Sequence, residues 1–288
     1  MIEKPFGNIA TAIAFSPNME ANIAESVRIK QSLGERLILI HIGDRTPEEE
    51  QLLSEVLGRQ QVNQEEIVLV WEEGDPVTAI LKACTEHKVD LLIAGALPRE
   101  GLLKYYIGSV ARRLVRKSDC SILLMTHPNQ FKSSCRRIVV NGLDHPKTPI
   151  TIETAIKVGV HFRSSEIVIV EEVVPARVGK RVEDDKSLEE VNQAKKSIQE
   201  KENQRINTIL QGIDIPSDIK VSEKCIFGKR GYTIGHFTQQ FNADLLVMNS
   251  PDTKLGFLDR VFTHDLEYIL SELPSDLLIV HSSERPHS

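Results

Sequence analysis

Residues 89–127 read VDLLIAGALPREGLLKYYIGSVARRLVRKSDCSILLMTH, and residues 243–282 read ADLLVMNSPDTKLGFLDRVFTHDLEYILSELPSDLLIVHS. Both stretches run acid, apolar strand, loop, hydroxyl residue, helix, Ser-Asp, apolar strand. The spacing from Asp90 to Ser109 equals that from Asp244 to Thr263. A segment written twice, offset by about half the chain, predicts two similar domains. The loops differ: the first holds Gly95, Gly101 and Gly108 before Ser109, and the second holds Asn249, Leu255 and Phe262 before Thr263.

The flanking sequence extends the pattern. Strands are expected at Asn8–Phe15, Arg36–Ile42, Ile67–Trp71, Asp90–Ala94 and Ser121–Met125, with amphipathic stretches between them. The strands are continuous apolar runs, which suits a parallel sheet buried on both faces. Asp75-Pro76 reads as an N-cap followed by proline at the first helical position. After a polar connector, PNQFKSSC, the order repeats with strands expected at Arg137–Asn141, Glu166–Glu171, Ile219–Glu223, Asp244–Met248 and Asp276–Val280. The fold class is therefore α/β, two tandem doubly wound five-stranded parallel-sheet domains, spanning residues 1–128 and 136–283. A long charged helix at 186–210 packs by a narrow stripe of Leu188, Val191, Ile198, Ile206 and Ile209–Leu210, or docks a partner.

Bulk properties exclude several classes. The 288 residues carry a net charge of −6, so no general field favours nucleic acid or an anionic membrane. No apolar run approaches the roughly 20 residues of a membrane span, and MIEKPFGNIATAIAF has no basic segment leading an apolar signal core. The expectation is a cytoplasmic protein with neither a nucleic-acid nor a membrane partner. Cys84, Cys120, Cys135 and Cys225 form no CxxC pair, and the nine histidines show no HxH or HExxH spacing, so no metal site is expected.

The chemistry, where there is any, gathers around the first loop. In open parallel sheets, ligands sit beyond the carboxyl ends of the strands. Gly95 falls there, and Gly101 loosens the loop. Gly108-Ser109 opens a helix whose exposed N–H groups favour an anion. Ser109 adds a hydroxyl, and Arg99 and Lys104 add positive charge. The residues alone leave two readings open, a phosphate-binding loop and a plain loop with a capped helix. Arg112, Arg113, Arg116 and Lys117 read as a solvated basic face or an anion patch.

Three stretches, EEGDPVTAILKACTEHKVDLLIAG (72–95), GLLKYYIGSVARRLVRKSDCSILLM (101–125) and LGERLILIHI (33–42), resemble the universal stress protein family. The resemblance covers nearly the whole chain as two tandem domains. It implies five-stranded parallel sheets, an ATP or AMP site in some members, and dimerisation through the last strand. In this chain the last strands, Ile122–Met125 and Leu277–Val280, would pair as an intramolecular pseudo-dimer, with a homodimer as a further arrangement. The family's Gly-x2-Gly-x9-Gly-(Ser/Thr) pattern starts at Gly95 and ends at Gly108-Ser109, with Pro98 at the second glycine position. Nucleotide contacts are thereby implied at Ala14, Ser16, Ile42, Gly95, Arg99, Gly101, Gly108, Ser109 and Val110. The family's first strand ends in an aspartate. Here it ends Ile13-Ala14-Phe15-Ser16, with Phe15 completing the core or stacking on a base, and His41 a buried or capping residue or else a ligand contact. In the second domain Asp252 and Phe262 stand at the later glycine positions, so no nucleotide is expected there. The functional reading is a non-catalytic stress-response module binding ATP or AMP in domain 1. The alternatives are a nucleotide-free scaffold acting through a protein partner, and a weak ATPase.

Overall fold

The computed structural model describes residues 2–60, 64–95, 97–98, 105–126, 135–179, 184–251 and 259–281. The first half runs β1 (Asn8–Ile13), α1 (Met19–Leu33), β2 (Arg36–Ile42), α2 (Pro47–Arg59), β3 (Ile67–Glu72), α3 (Pro76–Glu86), β4 (Leu91–Gly95), a short hairpin of β5 (Leu97–Pro98) and β6 (Tyr105–Tyr106), α4 (Ser109–Lys117) and β7 (Ser121–Met125). The second runs β8 (Arg137–Asn141), α5 (Thr148–Phe162), β9 (Glu166–Val173), α6 (Asp185–Leu210), β10 (Lys220–Phe227), α7 (Tyr232–Gln240), β11 (Leu245–Asn249), α8 (Asp259–Ser271) and β12 (Asp276–Val280). The hairpin falls where the sequence predicted only loop.

All the strands but that hairpin join one ten-stranded sheet, ordered β10-β9-β8-β11-β12-β7-β4-β1-β2-β3. Within each half every pairing is parallel. At the centre β12 meets β7 antiparallel, with Leu277 opposite Leu124, Leu278 opposite Leu123 and Ile279 opposite Ile122. The expected pairing of the two last strands is thus the middle of a continuous sheet. Its residues belong to the apolar layers on both faces: Leu123, Met125, Leu278 and Val280 on one, Ile122, Leu124, Leu277 and Ile279 on the other.

The acid that opens each repeated segment has a local job. Asp90 accepts the N–H groups of Gly7 and Asn8 at 3.1 and 2.9 Å. Asp244 accepts those of Arg136 and Arg137 at 2.8 and 2.9 Å. Each carboxylate satisfies amides at the start of the neighbouring strand, which backbone pairing leaves open. Gly34 ends α1, but in an extended conformation with φ −146°. A Cβ there would lie 2.6 Å from the Ile9 side chain, so close approach, and not a left-handed turn, requires the glycine.

The helices join the halves on both faces. The Arg28 guanidinium of α1 lies over the Phe162 ring of α5 at 5.3 Å, a cation–π contact. Across the other face Arg112 and Arg116 of α4 both bind Glu267 of α8, and Arg113 forks onto Asp75 at 3.1 and 3.2 Å. The basic side chains of α4 are therefore mostly committed to carboxylates. Arg113, Arg116 and Lys117 are nevertheless exposed, so the expected solvated face is present with two of its arginines also paired. On α6 the stripe is also narrower than expected: Val191 and Ile206 are buried, whereas Leu188 is 44% exposed.

Candidate functional site

The carboxyl ends of β1, β2 and β4 and the start of α4 bring together most of the expected first-half residues. Ala14 and Ser16 follow β1 and are exposed. Ile42, half-buried, ends β2, and Gly95, exposed, ends β4. A Cβ on Gly95 would meet nothing within 4 Å among the described residues, so neither packing nor φ demands the glycine. Gly108 is the N-cap of α4 and offers no side-chain cap. The first N–H groups of the helix therefore take no acceptor from a cap side chain, at the end where the helix dipole is positive. Ser109 is exposed and Val110 is 38% exposed. Arg99, Gly101 and Lys104 lie outside the described residues. Pro98 pairs with Tyr105 in the hairpin, a position where a missing N–H is tolerated in a two-strand edge.

Beside this edge stands an aromatic trio. Phe15 stacks on Trp71 with ring centroids 6.0 Å apart, and His41 stands edge-on to both at 4.7 and 4.9 Å. Nδ1 of His41 is 3.2 Å from the carbonyl oxygen of Ile13. His41 is buried, as expected, and Phe15 and Trp71 are half-buried. Trp71 is the only tryptophan of the chain. At the start of α3, Asp75 accepts Thr78 N–H at 3.1 Å. Its carboxyl is held at about 2, first by the Arg113 hydrogen bonds and then by Thr78.

The second half fills the corresponding edge with its own side chains. Ladder register places Glu171 of β9 where His41 stands in β2, and Glu172 where Ile42 stands. Around Glu171 the sequence assembles a buried ionic cluster. Arg205 reaches from α6 to Glu171 at 3.1 Å and to Glu202 at 2.9 Å, and also donates to the carbonyl of Gly142. Arg177 binds Glu202 at 2.7 Å and lies 3.7 Å from Glu171. Asp144, exposed, is 3.9 Å from Arg205. Burial, reinforced by the Glu202 carboxylate, pushes Glu171 up to about 7 against the pull of three arginines.

Glu172 does a different job. It accepts the N–H groups of Gly231 and Ile234 at 3.0 and 2.8 Å, capping α7 from the neighbouring strand. Gly231 is the N-cap of α7 and has φ +74°, and a Cβ there would lie 2.7 Å from the Asp265 carbonyl oxygen. No side chain fits at that cap, and Glu172 supplies the carboxylate that Asp75 supplies in the first half. Burial raises Glu172 to about 7 despite its two amide donors.

The end of β11 is closed as well. Lys147 donates to the Ser250 hydroxyl at 3.1 Å and to the carbonyls of Ser250 and Pro251 at 3.3 Å. Asn249 donates to Thr148 at 3.1 Å, and Leu143 N–H donates to Asn141 at 3.2 Å. Asn141 is thus turned inward as a local acceptor. Asp252 lies outside the described residues, and of Phe262 only the helical backbone is described. Sequence reasoning missed the cluster because its members are far apart in the chain. Its one local signal is Glu171-Glu172, two consecutive acids at the end of an apolar strand.

A cavity of about 380 Å³ lies elsewhere, between the amino ends of the first-half strands and α5. Part of its polar wall is satisfied internally, whereas Nε2 of His281, also on that wall, is buried without a hydrogen-bond partner among the described residues. Asp90 holds Gly7 and Asn8, Lys4 donates to Gly34 O at 2.9 Å, and Glu153 pairs with Lys157 at 2.8 Å. Among the described residues no group of three or more His, Cys, Asp or Glu side chains is placed to hold a metal ion. No helix among them is long and apolar enough to cross a membrane.

Comparison with known proteins agrees with this architecture. Residues 43–125 match the model of the universal stress protein family. A curated universal stress protein of Methanocaldococcus jannaschii is 31% identical over 58 residues, which span 20% of this chain and 34% of that protein, about a third of its length. A solved structure from Pseudomonas aeruginosa UCBPP-PA14, named as a universal stress protein, superposes with a TM-score of 0.67 at 14% identity, over 95% of this chain and 92% of that one. The structure of a universal stress protein from Archaeoglobus fulgidus superposes with a TM-score of 0.60 at 16% identity, over 98% of both chains. At these identities the structures speak for the fold. With the repeated segment and the two parallel half-sheets, the match identifies residues 43–125 as similar to the universal stress protein family, and the chain as a whole shares the fold of the solved structures.

Proposed function

We propose that the chain is a cytoplasmic, non-catalytic regulatory module that binds ATP or AMP at the carboxyl edge of its first half and not in its second. The observation that carries this reading is the contrast between the two edges. In the first half the N-terminus of α4 has no side-chain cap and Gly95 is exposed. In the second half Lys147, Arg205 and Glu171 occupy the corresponding space. The phosphates would take the N–H groups of Ser109 and Val110 and the Ser109 hydroxyl. The base end would lie along Ala14, Ser16 and Ile42, with the Phe15–Trp71 stack beside it. Occupancy would act by stabilising the native first half, and the response would pass to a protein partner. Among the described residues no acid–base pair is aimed at the start of α4, and for that reason hydrolysis is no part of the reading.

The test is a titration of the purified chain with ATP and with AMP, followed by Trp71 fluorescence and by the thermal midpoint. The reading expects a saturable fluorescence change and a raised midpoint, both removed by Gly108→Val. No change in either signal at millimolar nucleotide would overturn it. That result would favour the nucleotide-free scaffold, a reading supported by Pro98 and by the absence of a carboxylate at the end of β1.

A further inference from the structure

The ten-stranded sheet has two edges, and they differ. β10 carries Lys220 and Lys224, both exposed, with Glu223 between them, charges of the kind that block edge-to-edge pairing. β3, the other edge, reads Ile67-Val68-Leu69-Val70-Trp71 with no charge, proline or glycine in five residues, and Leu69 is 45% exposed.

The backbone of β3 has a definite sidedness. Gly43 N–H donates to the Glu72 carbonyl at 3.0 Å, which turns the peptide groups of Glu72, Val70 and Val68 toward β2. By the alternation of a strand, Ile67, Leu69 and Trp71 turn theirs to the open edge. Such an edge is a template for an added strand.

Charge at the two ends selects the occupant. Glu65 and Glu66 precede the strand, and Glu72 and Glu73 end it. Lys30 pairs with Glu66 and Lys82 with Glu72, and each end of the strand carries two consecutive glutamates. A second copy of this chain pairing antiparallel about Leu69 would set Glu65 against Glu73 and Glu66 against Glu72 at both ends, and like charges placed opposite one another oppose pairing.

We infer that the β3 edge is a docking surface for an extended segment of a partner protein, apolar at alternate positions and flanked on both sides by lysine or arginine. The partner adds an eleventh strand through the peptide groups of Ile67, Leu69 and Trp71. Its basic flanks meet the glutamates at the two ends.

The test uses the full chain and two fluorescently labelled peptides. Both have an alternating Val-Thr core, one closed at each end by paired lysines and the other by paired glutamates. Fluorescence anisotropy at about 0.15 M salt is expected to show at least about tenfold tighter binding of the lysine-flanked peptide. Amide exchange at Ile67, Leu69 and Trp71 is expected to slow when it binds. Leu69→Pro removes one outward N–H and leaves the β2 ladder intact, and it should abolish binding. Leu69→Lys keeps the N–H and should weaken binding by charge, which covers the case in which the proline variant folds poorly. Equal binding of the two peptides, or parental affinity in both variants, would overturn the inference. So would a dimer in light scattering that Leu69→Lys disperses, because the occupant would then be a second copy.

Discussion

Thr126 donates both its N–H and its hydroxyl to one oxygen of Asp276, at 2.9 and 2.8 Å, closing one end of the central strand pair. At the other end His281 N–H donates to the Ser121 hydroxyl at 3.2 Å. Ser121 and Asp276 hold the same register position in their halves, opposite Leu91 and Leu245. The junction is therefore two-fold in position and unequal in chemistry. A carboxylate accepting two donors is the stronger lock. Asp276→Ala should cost about 2 kcal/mol of unfolding free energy and Ser121→Ala about 1 kcal/mol. Urea denaturation of the two variants measures both, and an equal loss would contradict the ranking.

Glu171 and Glu172 give the chain a pH dependence opposite to that of surface carboxylates. Each is raised from 4.5 to about 7 in the folded state, chiefly by burial. Between those values the folded chain holds protons that the unfolded chain has released. Stability is then fully present below about 4.5 and is lost as pH rises through about 7, by on the order of 3 kcal/mol for each group. Asp75, held at about 2, works the other way and matters only below pH 4. Denaturant midpoints across pH 5 to 8 should fall with rising pH. The double substitution Glu171→Gln with Glu172→Gln should flatten that slope.

Glu267 receives both Arg112 and Arg116 across the junction and is 25% exposed. An ion pair of this exposure is worth about 1 kcal/mol and is screened by salt. Glu267→Gln should lower stability by about that amount in low salt and by much less in 1 M sodium chloride. A loss that persists undiminished in high salt would point to packing instead of charge.

Gly34→Ala tests the close approach of α1 to β1. The added methyl would press on Ile9, which is fully buried. The expected cost is about 1–3 kcal/mol, read as a lower thermal midpoint. An unchanged midpoint would show that the Ile9 side chain gives way freely.

Much of this architecture was legible in the chain. Runs such as Leu91–Ala94 and Leu245–Met248 are apolar at every position because both faces of the sheet are covered, and that pattern needs no tertiary knowledge to read. Asp75-Pro76 marked the start of α3 for a local reason. The role of Arg112 and Arg116 was hidden because their partner, Glu267, is about 150 residues away. The filling of the second edge was hidden in the same way, since Arg205 and Glu171 belong to different elements and meet only after α6 folds back over β9. Gly108-Ser109 was legible as the opening of a helix, and α4 does start at Ser109 with Gly108 as its N-cap.

The antiparallel meeting of β7 and β12 also frees the two halves from each other as sequences. In a dimer of identical chains every substitution appears on both sides of the axis, and a change that suits one site is imposed on the other. Here the halves are tethered, so their pairing does not depend on concentration, and each side of the junction can be altered alone. One half has turned its strand ends into an internal ionic plug while the other keeps an exposed rim. The same freedom extends to the outer strands, where one edge is guarded by lysines and the other is bare.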